Sequence, residues 1–334
     1  MPDTATTEQA TSAMLNGRFA PARTARVVGL GHRLPDRVVP NGPIAERIGV
    51  DSDWIVRRTG IRERRYAAPD ERTVDLALAA ARRALSDAGL RASDIDMVIV
   101  ATMTPDELTP NTAPLVAHAL GLNVAALDVG AACTGWLSAL SMAAGQVETG
   151  RAERVLVIGA ETLSRITNLD DKRTASLFGD GAGAVVLSSD GEGAIGPILL
   201  SSDGGMADAI VATHADRVLI MDGHTTFNMA VKVLVESTQQ ACERAGVTLD
   251  EIDLFVYHQA NGRILKTVSE RLEVPAERVA DYVGETGNTS AASIPLTLSL
   301  LREDGRLRPG QRLLLSAVGA GFTWGAGVVD WGVA

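Results

Sequence analysis

TVDLALAAARRALSDAGLRASDIDMVIV, residues 73–100, reads as an amphipathic helix, a glycine stop and a buried strand. Apolar residues recur at helical spacing up to Leu85, Gly89 is a C-terminal helix signal, and the run IDMVIVATM (95–103) has the length and β-branched content of a strand. The pattern returns in STQQACERAGVTLDEIDLFVYHQAN (237–261). Ala84 falls on Ala241, Ala88 on Ala245, Gly89 on Gly246 and Ile95-Asp96 on Ile252-Asp253, a constant separation of 157.

Working outward, the separation persists. GAACTG (130–135) falls on GNTSAA (287–292), which pairs Cys133 with Ser290. VLVIGA (155–160) lands within one residue of LLLSAV (313–318), and GAGAVV (181–186) has a counterpart in GAGVV (325–329) after a gap. Helix–glycine–strand units are common, but here the register holds over four separate elements. The expected fold is therefore α/β and built from two duplicated halves. The boundaries read as a disordered arm over 1–24, a first half over 25–190 and a second over 191–334. Halves paired about a pseudo-twofold axis would bring equivalent loops together, so the Cys133 loop, the end of the His258 strand and the Asn288 loop are expected to share one cavity.

Composition narrows the function. With 46% hydrophobic and 22% charged residues among 334, the chain has a globular make-up and enough length for a two-lobed unit. A formal charge of −10 argues against nucleic acid or an anionic membrane as partner. The first 24 residues lack the apolar core of a signal peptide. The apolar run 124–145 is interrupted by Asp128 and glycines and reads as a strand followed by a helix, not a membrane span. Two cysteines without CxxC or HExxH spacing argue against a disulfide framework or a structural zinc site and fit a reducing cytoplasm.

Cys133 follows the apolar strand VAALDV and opens the helix TGWLSALSMAAGQVE, whose apolar positions Trp136, Leu137, Leu140 and Val147 recur at helical spacing. A thiol at a helix N-terminus is favoured as thiolate, and its small neighbours leave room for an acyl group. A lone cysteine is also a good core filler, so these residues alone leave both readings open. Cys242, which falls on Leu85 in an amphipathic helix, is expected in the core. His32 (first strand), His118 (helix) and His214 (loop) have ordinary structural readings, whereas His258 ends a strand where catalytic groups of α/β sheets gather. Asn288 stands in the small-residue turn TGNTSAAS, which by itself marks only a turn. GDGAGA (179–184) fits a dinucleotide fingerprint, but a strand follows it where that motif needs a helix.

Taken in order, DSDWIVRRTGIRERR, ACTG, FGDGAGAVVL, HQANGRI, GNTSAASIPL and GAGFTWGAG resemble the β-ketoacyl-acyl carrier protein synthase III family of the thiolase superfamily, from about residue 25 to the end. The resemblance implies a thiolase-like five-layered αβαβα fold, a homodimer and a Cys133, His258, Asn288 triad. It implies a coenzyme A thioester that acylates the cysteine, with no permanently bound cofactor, followed by decarboxylation of a malonyl-acyl carrier protein whose carbanion attacks the acyl group. Backbone N–H groups of Cys133 and of Ala320 and Gly321 in the Gly319–Gly321 turn would bind the acyl oxyanion. Trp54 and Arg58 would flank the adenine and Arg173 its phosphates. Gly223, Phe227 and Asn261 would line the pantetheine tunnel, and Arg263 would dock the carrier protein.

The sequence also departs from that pattern. The segment between Ser201 and Met221 is short, and Thr109 in TPDELTPNT (104–112) stands where some members place an aromatic residue that limits the acyl pocket from across the dimer. Asn228 and Glu270 replace lysines often used for docking, and His224 replaces a polar amide beside the pantetheine arm. The leading expectation is condensation that starts a fatty acid or a polyketide. The alternatives are acyl transfer to a hydroxyl or amine without carbon–carbon bond formation, disfavoured by the intact GNTSAAS, and a non-catalytic partner subunit, disfavoured because all three triad positions are filled.

Overall fold

The computed structural model describes residues 23–333; of the arm expected over 1–24, residues 1–22 lie outside the described residues. Helices are α1 (Asn41–Ile48), α2 (Ser52–Thr59), α3 (Thr73–Asp87), α4 (Thr112–Ala119), α5 (Gly135–Glu148), α6 (Gly223–Ala245), α7 (Gly262–Leu272), α8 (Val283–Thr286) and α9 (Ser293–Glu303). The first sheet has the order β1 (Arg26–Arg33), β7 (Asp180–Ser188), β6 (Arg154–Thr162), β4 (Met97–Ala101), β5 (Ala125–Val129). The second has β12 (Leu254–Tyr257), β13 (Arg312–Gly319), β14 (Thr323–Asp330) and β8 (Ala194–Ile195), with β9 (Leu199–Ser202) also on β14. A hairpin of β10 (Ile210–Ala212) and β11 (Leu219–Met221), and another of β2 (Arg37–Pro40) and β3 (Glu63–Tyr66), complete the strands.

The duplication is plain in the strand directions. β4 runs parallel to β6 and β6 antiparallel to β7, just as β12 runs parallel to β13 and β13 antiparallel to β14. Helices α3 and α4 cover the outer face of the first sheet, α6 and α7 that of the second, and α5 and α9 lie between the sheets, giving five layers. The central layer holds Trp136, Leu140 and Leu298 against Val256 and Leu315. Because both sheets are covered on both faces, their strands are continuous apolar runs: Val98, Ile99, Val100 and Ala101 of β4 are all fully buried.

Local signals set the element ends. Asp106 accepts the amides of Thr73 and Val74 at the start of α3 (2.9 and 3.0 Å), and Gly89 takes the left-handed conformation (φ 65°) just after its end. Cys242 is buried, as its match to Leu85 implied. GDGAGA runs largely within strand β7, and its glycines serve packing. A Cβ at Gly183 would lie 2.3 Å from the backbone N of Leu296, so this glycine lets α9 sit directly on the sheet.

One pairing needs correction. Asp96 accepts the amide of Arg154 (2.9 Å) and Asp253 that of Arg312 (2.7 Å), so β6 and β13 correspond at a separation of 158. The 3₁₀ turns Ala132–Thr134 and Ser290–Ala292, and the helices that follow them at Gly135 and Ser293, keep the same 158. Ala132 and Ser290, which open these turns, share an unusual positive φ (46° and 47°). The second half carries one extra residue ahead of the turn, so Cys133 corresponds to Ala291 and not to Ser290.

Candidate active site

Cys133, His258 and Asn288 line one cavity of about 590 Å³ that opens between the two halves. Each is delivered by a different device. Cys133 lies in the 3₁₀ turn that leads from β5 into α5, at the N-terminal end of a 14-residue helix. His258 follows the last residue of β12 and is tied by its amide to the carbonyl of Ser316 (2.8 Å). Asn288 is clamped by its backbone, donating to Leu177 O (2.9 Å) and accepting from Gly179 N (3.0 Å). Its side-chain oxygen accepts the amide of Ser290 (2.9 Å), which leaves the carboxamide N–H groups as donors for a ligand.

The electrostatics of the resting site are those of two neutral groups. Burial pushes the Cys133 thiol up to about 12; a hydrogen bond from Ser290 opposes this, and the charge of Glu161 adds to it. Burial also pushes His258 down to about 3, and its Nδ1 is buried without a partner. A helix N-terminus supplies about 0.3–1 kcal/mol, under one pKa unit, whereas desolvation moves buried groups by as much as ~3–5 units. Position at the helix start therefore does not make the unliganded thiol a thiolate, contrary to what its sequence position suggests.

Gly319 backs onto the amide of Cys133: a Cβ there would lie 2.7 Å from Cys133 N. Only a glycine leaves room for an oxygen atom in front of that N–H. Gly319 and Ala320 line the cavity, while Gly321, also expected at the oxyanion site, is not part of its lining. At Gly321 the backbone takes a positive φ of 132° and turns towards Thr323.

The mouth gathers the residues expected to hold a nucleotide-tailed thioester. Arg58 lies over the Trp54 ring (5.3 Å to its centroid), and Arg263 over Phe227 (5.1 Å). Asn261 caps α7 by accepting the amide of Arg263 (2.9 Å). Arg173 and Gly223 complete the set on the same cavity. His224 lines it too, with its ring 3.1 Å from Asn228. The 201–221 segment passes from the end of β9 through a 3₁₀ stretch (Gly204–Ala209) into the β10–β11 hairpin, which contributes Ile210, Leu219 and Met221 to the wall. Thr109 does not line the cavity of its own chain; it is exposed beside Leu108, on a loop held at Asp106 and at Asp128, which accepts the amides of Thr112 and Ala113 (2.8 and 2.7 Å).

Some site residues were not singled out from the sequence. Lys172, one of three lysines in the chain, lines the mouth next to Arg173. Met103, Leu163 and Phe322 line the cavity as unmarked apolar residues. Glu161, wholly buried behind Ser290 and Met103, sits in what reads as an ordinary strand.

Comparison with known proteins agrees with this geometry. Family models of 3-oxoacyl-[acyl-carrier-protein (ACP)] synthase III match residues 127–204, and of its C-terminal part residues 242–331. A β-ketoacyl-[acyl-carrier-protein] synthase III of Paracoccus denitrificans is 44% identical over 92% of this chain and 100% of its own length. One from Streptomyces coelicolor is 45% identical over 92% and 98%. Among solved structures, the synthase III of Thermus thermophilus is similar at a TM-score of 0.89 with 43% identity, covering 92% of this chain and 100% of that one. The priming β-ketosynthase of the R1128 polyketide pathway is similar at 0.90 with 37% identity, covering 95% and 100%. A thiolase-like layered fold, a cysteine, a histidine and an asparagine converging on one cavity, and relatedness along nine-tenths of the chain have a single meaning: the chain belongs to the 3-oxoacyl-[acyl-carrier-protein] synthase III family of condensing acyltransferases.

Proposed function

We propose that Cys133 takes an acyl group from an acyl-CoA and that the resulting thioester is condensed with malonyl-acyl carrier protein, giving a β-ketoacyl thioester. The reading is carried by the convergence of Cys133, His258 and Asn288 on one cavity whose mouth bears the Arg58–Trp54 stack and the cations Lys172 and Arg173. In acylation the sulfur attacks the thioester carbonyl, and the oxyanion is received by N–H groups of Cys133 and Ala320, with Gly319 keeping that space open. Coenzyme A leaves along the tunnel lined by Gly223, Phe227 and Asn261.

In the second half-reaction the malonyl thioester loses carbon dioxide and its carbonyl oxygen gains enolate charge. His258, neutral because of its burial, and Asn288, whose oxygen is held by Ser290, donate hydrogen bonds to that oxygen. No base is needed, since decarboxylation itself generates the carbanion. The carbanion attacks the acyl carbonyl, the bond between that carbon and the Cys133 sulfur breaks, and the released thiolate takes a proton from solvent, replacing the one that left with the coenzyme A thiol in acylation. Neither step calls for a resident cofactor.

The carrier protein is acidic in this reading and docks at Arg263, with Lys266 on the same helix, although Lys266 also pairs with Glu270 (3.7 Å). We assign the enzyme to a cytoplasmic homodimer. Strand β5 is an edge with half-buried Leu127 and Val129, and the loop bearing Thr109 is anchored to it through Asp128; paired edges would carry each Thr109 towards the other chain's acyl pocket. A small residue there favours primers longer or bulkier than acetyl. The test is a panel of acyl-CoAs offered with and without malonyl-carrier protein and followed by intact-protein and product mass. Acyl adducts that discharge as β-ketoacyl-carrier protein support condensation; adducts that discharge only onto hydroxyl or amine acceptors contradict it.

A further inference from the structure

Arg64, on β3, is fully buried. Among the described residues its acceptors are all neutral. Nη1 donates to Val39 O (3.1 Å) and to the Asn41 side-chain oxygen (2.8 Å), Nη2 donates to Ser176 O (2.7 Å), and Nε has no partner. Burying a cation without an anion is costly. What an arginine offers in return is a flat, rigid fork that holds acceptors on two separate segments at once. One segment here is the β2–α1 corner, itself fixed because the Asn41 amide donates to Ile61 O (2.7 Å). The other is the turn that passes through Ser176 and Phe178 into β7.

That second segment is the one that grips Asn288. Leu177 accepts the backbone N–H of Asn288, and Gly179 donates to its carbonyl, so Ser176 stands directly before the first of these contacts. The stem of Arg64 reaches the same crossing. A Cβ on Gly287 would lie 3.0 Å from the Arg64 Cβ, and one on Gly179 would lie 3.2 Å from it. A Cβ on Gly179 would also lie 2.2 Å from Thr286 O, so the two segments cross with no room for side chains between them. Arg64 thus backs the crossing with its stem and ties one of its two segments with its head.

We infer that Arg64 is a positioning residue for Asn288: its guanidinium fixes the 176–179 segment whose backbone clamp aims the Asn288 carboxamide at the substrate. The inference rests on Asn288 acting as a donor in the condensation. Arg64 is not part of the cavity lining, so it acts through the clamp and not by touching the substrate. Cys133 enters the cavity from β5 and α5, which take no part in these contacts. Loosening the clamp should therefore slow the half-reaction that uses Asn288 and spare acylation of Cys133. Ser176, Leu177 and Phe178 do line the cavity, so the rates to compare are those at saturating acyl-CoA.

Hydrogen exchange of the full-length protein, followed by peptide mass, reads the clamp without any substrate. In Arg64→Met the Gly179 and Asn288 amides should exchange about tenfold faster than in the parent, the order expected when a hydrogen bond to a charged group is lost. Arg64→Lys, which keeps the charge without the fork, should lie between the two. Single-turnover rates then separate the half-reactions. Arg64→Met should acylate at the parent's rate but condense about 10–10²-fold more slowly, the scale of loss from a misplaced reacting group, with Arg64→Lys again between. In an Asn288→Ala background Arg64→Met should cost nothing further, because both changes remove the same donor. Unchanged exchange at those two amides, equal loss of both half-reactions, or an additive loss in the double variant would overturn the proposal. If neither Arg64 variant folds, Asn41→Ala, which removes one anchor of the guanidinium, must speed exchange at the same two amides. A parent that acylates but does not condense would sink the condensation reading instead, and the exchange result would still decide whether Arg64 holds the clamp.

Discussion

Cys133 and His258 meet in the cavity as neutral groups, and this decides how each can act. An imidazole held down to about 3 by burial cannot be a resting proton store for the thiol; it is a hydrogen-bond donor with a fixed neutral charge. The stability consequence follows from the sign of the shift. Between about pH 3 and 6.5 the unfolded chain binds the extra proton and the folded chain does not, so His258 weakens the fold as pH falls below about 6.5. The ring resonances of His258, followed by NMR in labelled protein, should not titrate between pH 5 and 8. A midpoint near 6.5 would contradict the donor role. Asn288 suits the proposed donor role by another route: its backbone is clamped on both sides and its oxygen is engaged, so its side-chain N–H groups are left to donate.

At the scale of elements, the site depends on helices that approach strands more closely than any side chain would permit. Gly183 admits the start of α9, which carries the Ser290–Ala292 turn in front of it. Gly183→Ala places a Cβ 2.3 Å from Leu296 N, so α9 must shift; a loss of about 1–3 kcal/mol is expected from overpacking. Urea unfolding measures it, and an unchanged midpoint would refute the close-packing role. The duplicated strands and helices were legible in the sequence because apolar periodicity and glycine stops are local signals. The nucleophile's turn was legible as a strand–helix corner, but its exact partner was not. One inserted residue changes the separation from 157 to 158, and nothing local marks it until the Asp96–Arg154 and Asp253–Arg312 contacts fix the register. The burial of Glu161 was invisible for the same reason: the Met103 and Thr104 donors that hold it are brought to it only by the fold.

For the molecule as a whole, a single chain leaves the acyl pocket without the residue expected to close it. Thr109 is exposed on a loop beside the β5 edge, where pairing with a second chain would turn it inward. In such a dimer Thr109→Phe narrows the partner's pocket, and the preferred acyl-CoA should become shorter by several carbons; an unchanged chain-length profile would place the loop elsewhere. The family, the three converging residues and Arg58, Arg173 and Arg263 of the mouth could be read from ordered motifs, while Lys172 and the hairpin wall needed the fold to bring distant segments together. The division of labour among those three residues is the core of the account. Intact mass of Cys133→Ala and Asn288→Ala after acyl-CoA, then product mass after malonyl-carrier protein, tests it directly. Cys133→Ala should form no adduct, and Asn288→Ala should form the normal adduct but condense about 10²–10³-fold more slowly, the usual cost of one oxyanion donor. An adduct on Cys133→Ala, or equal loss of both half-reactions in Asn288→Ala, would contradict it.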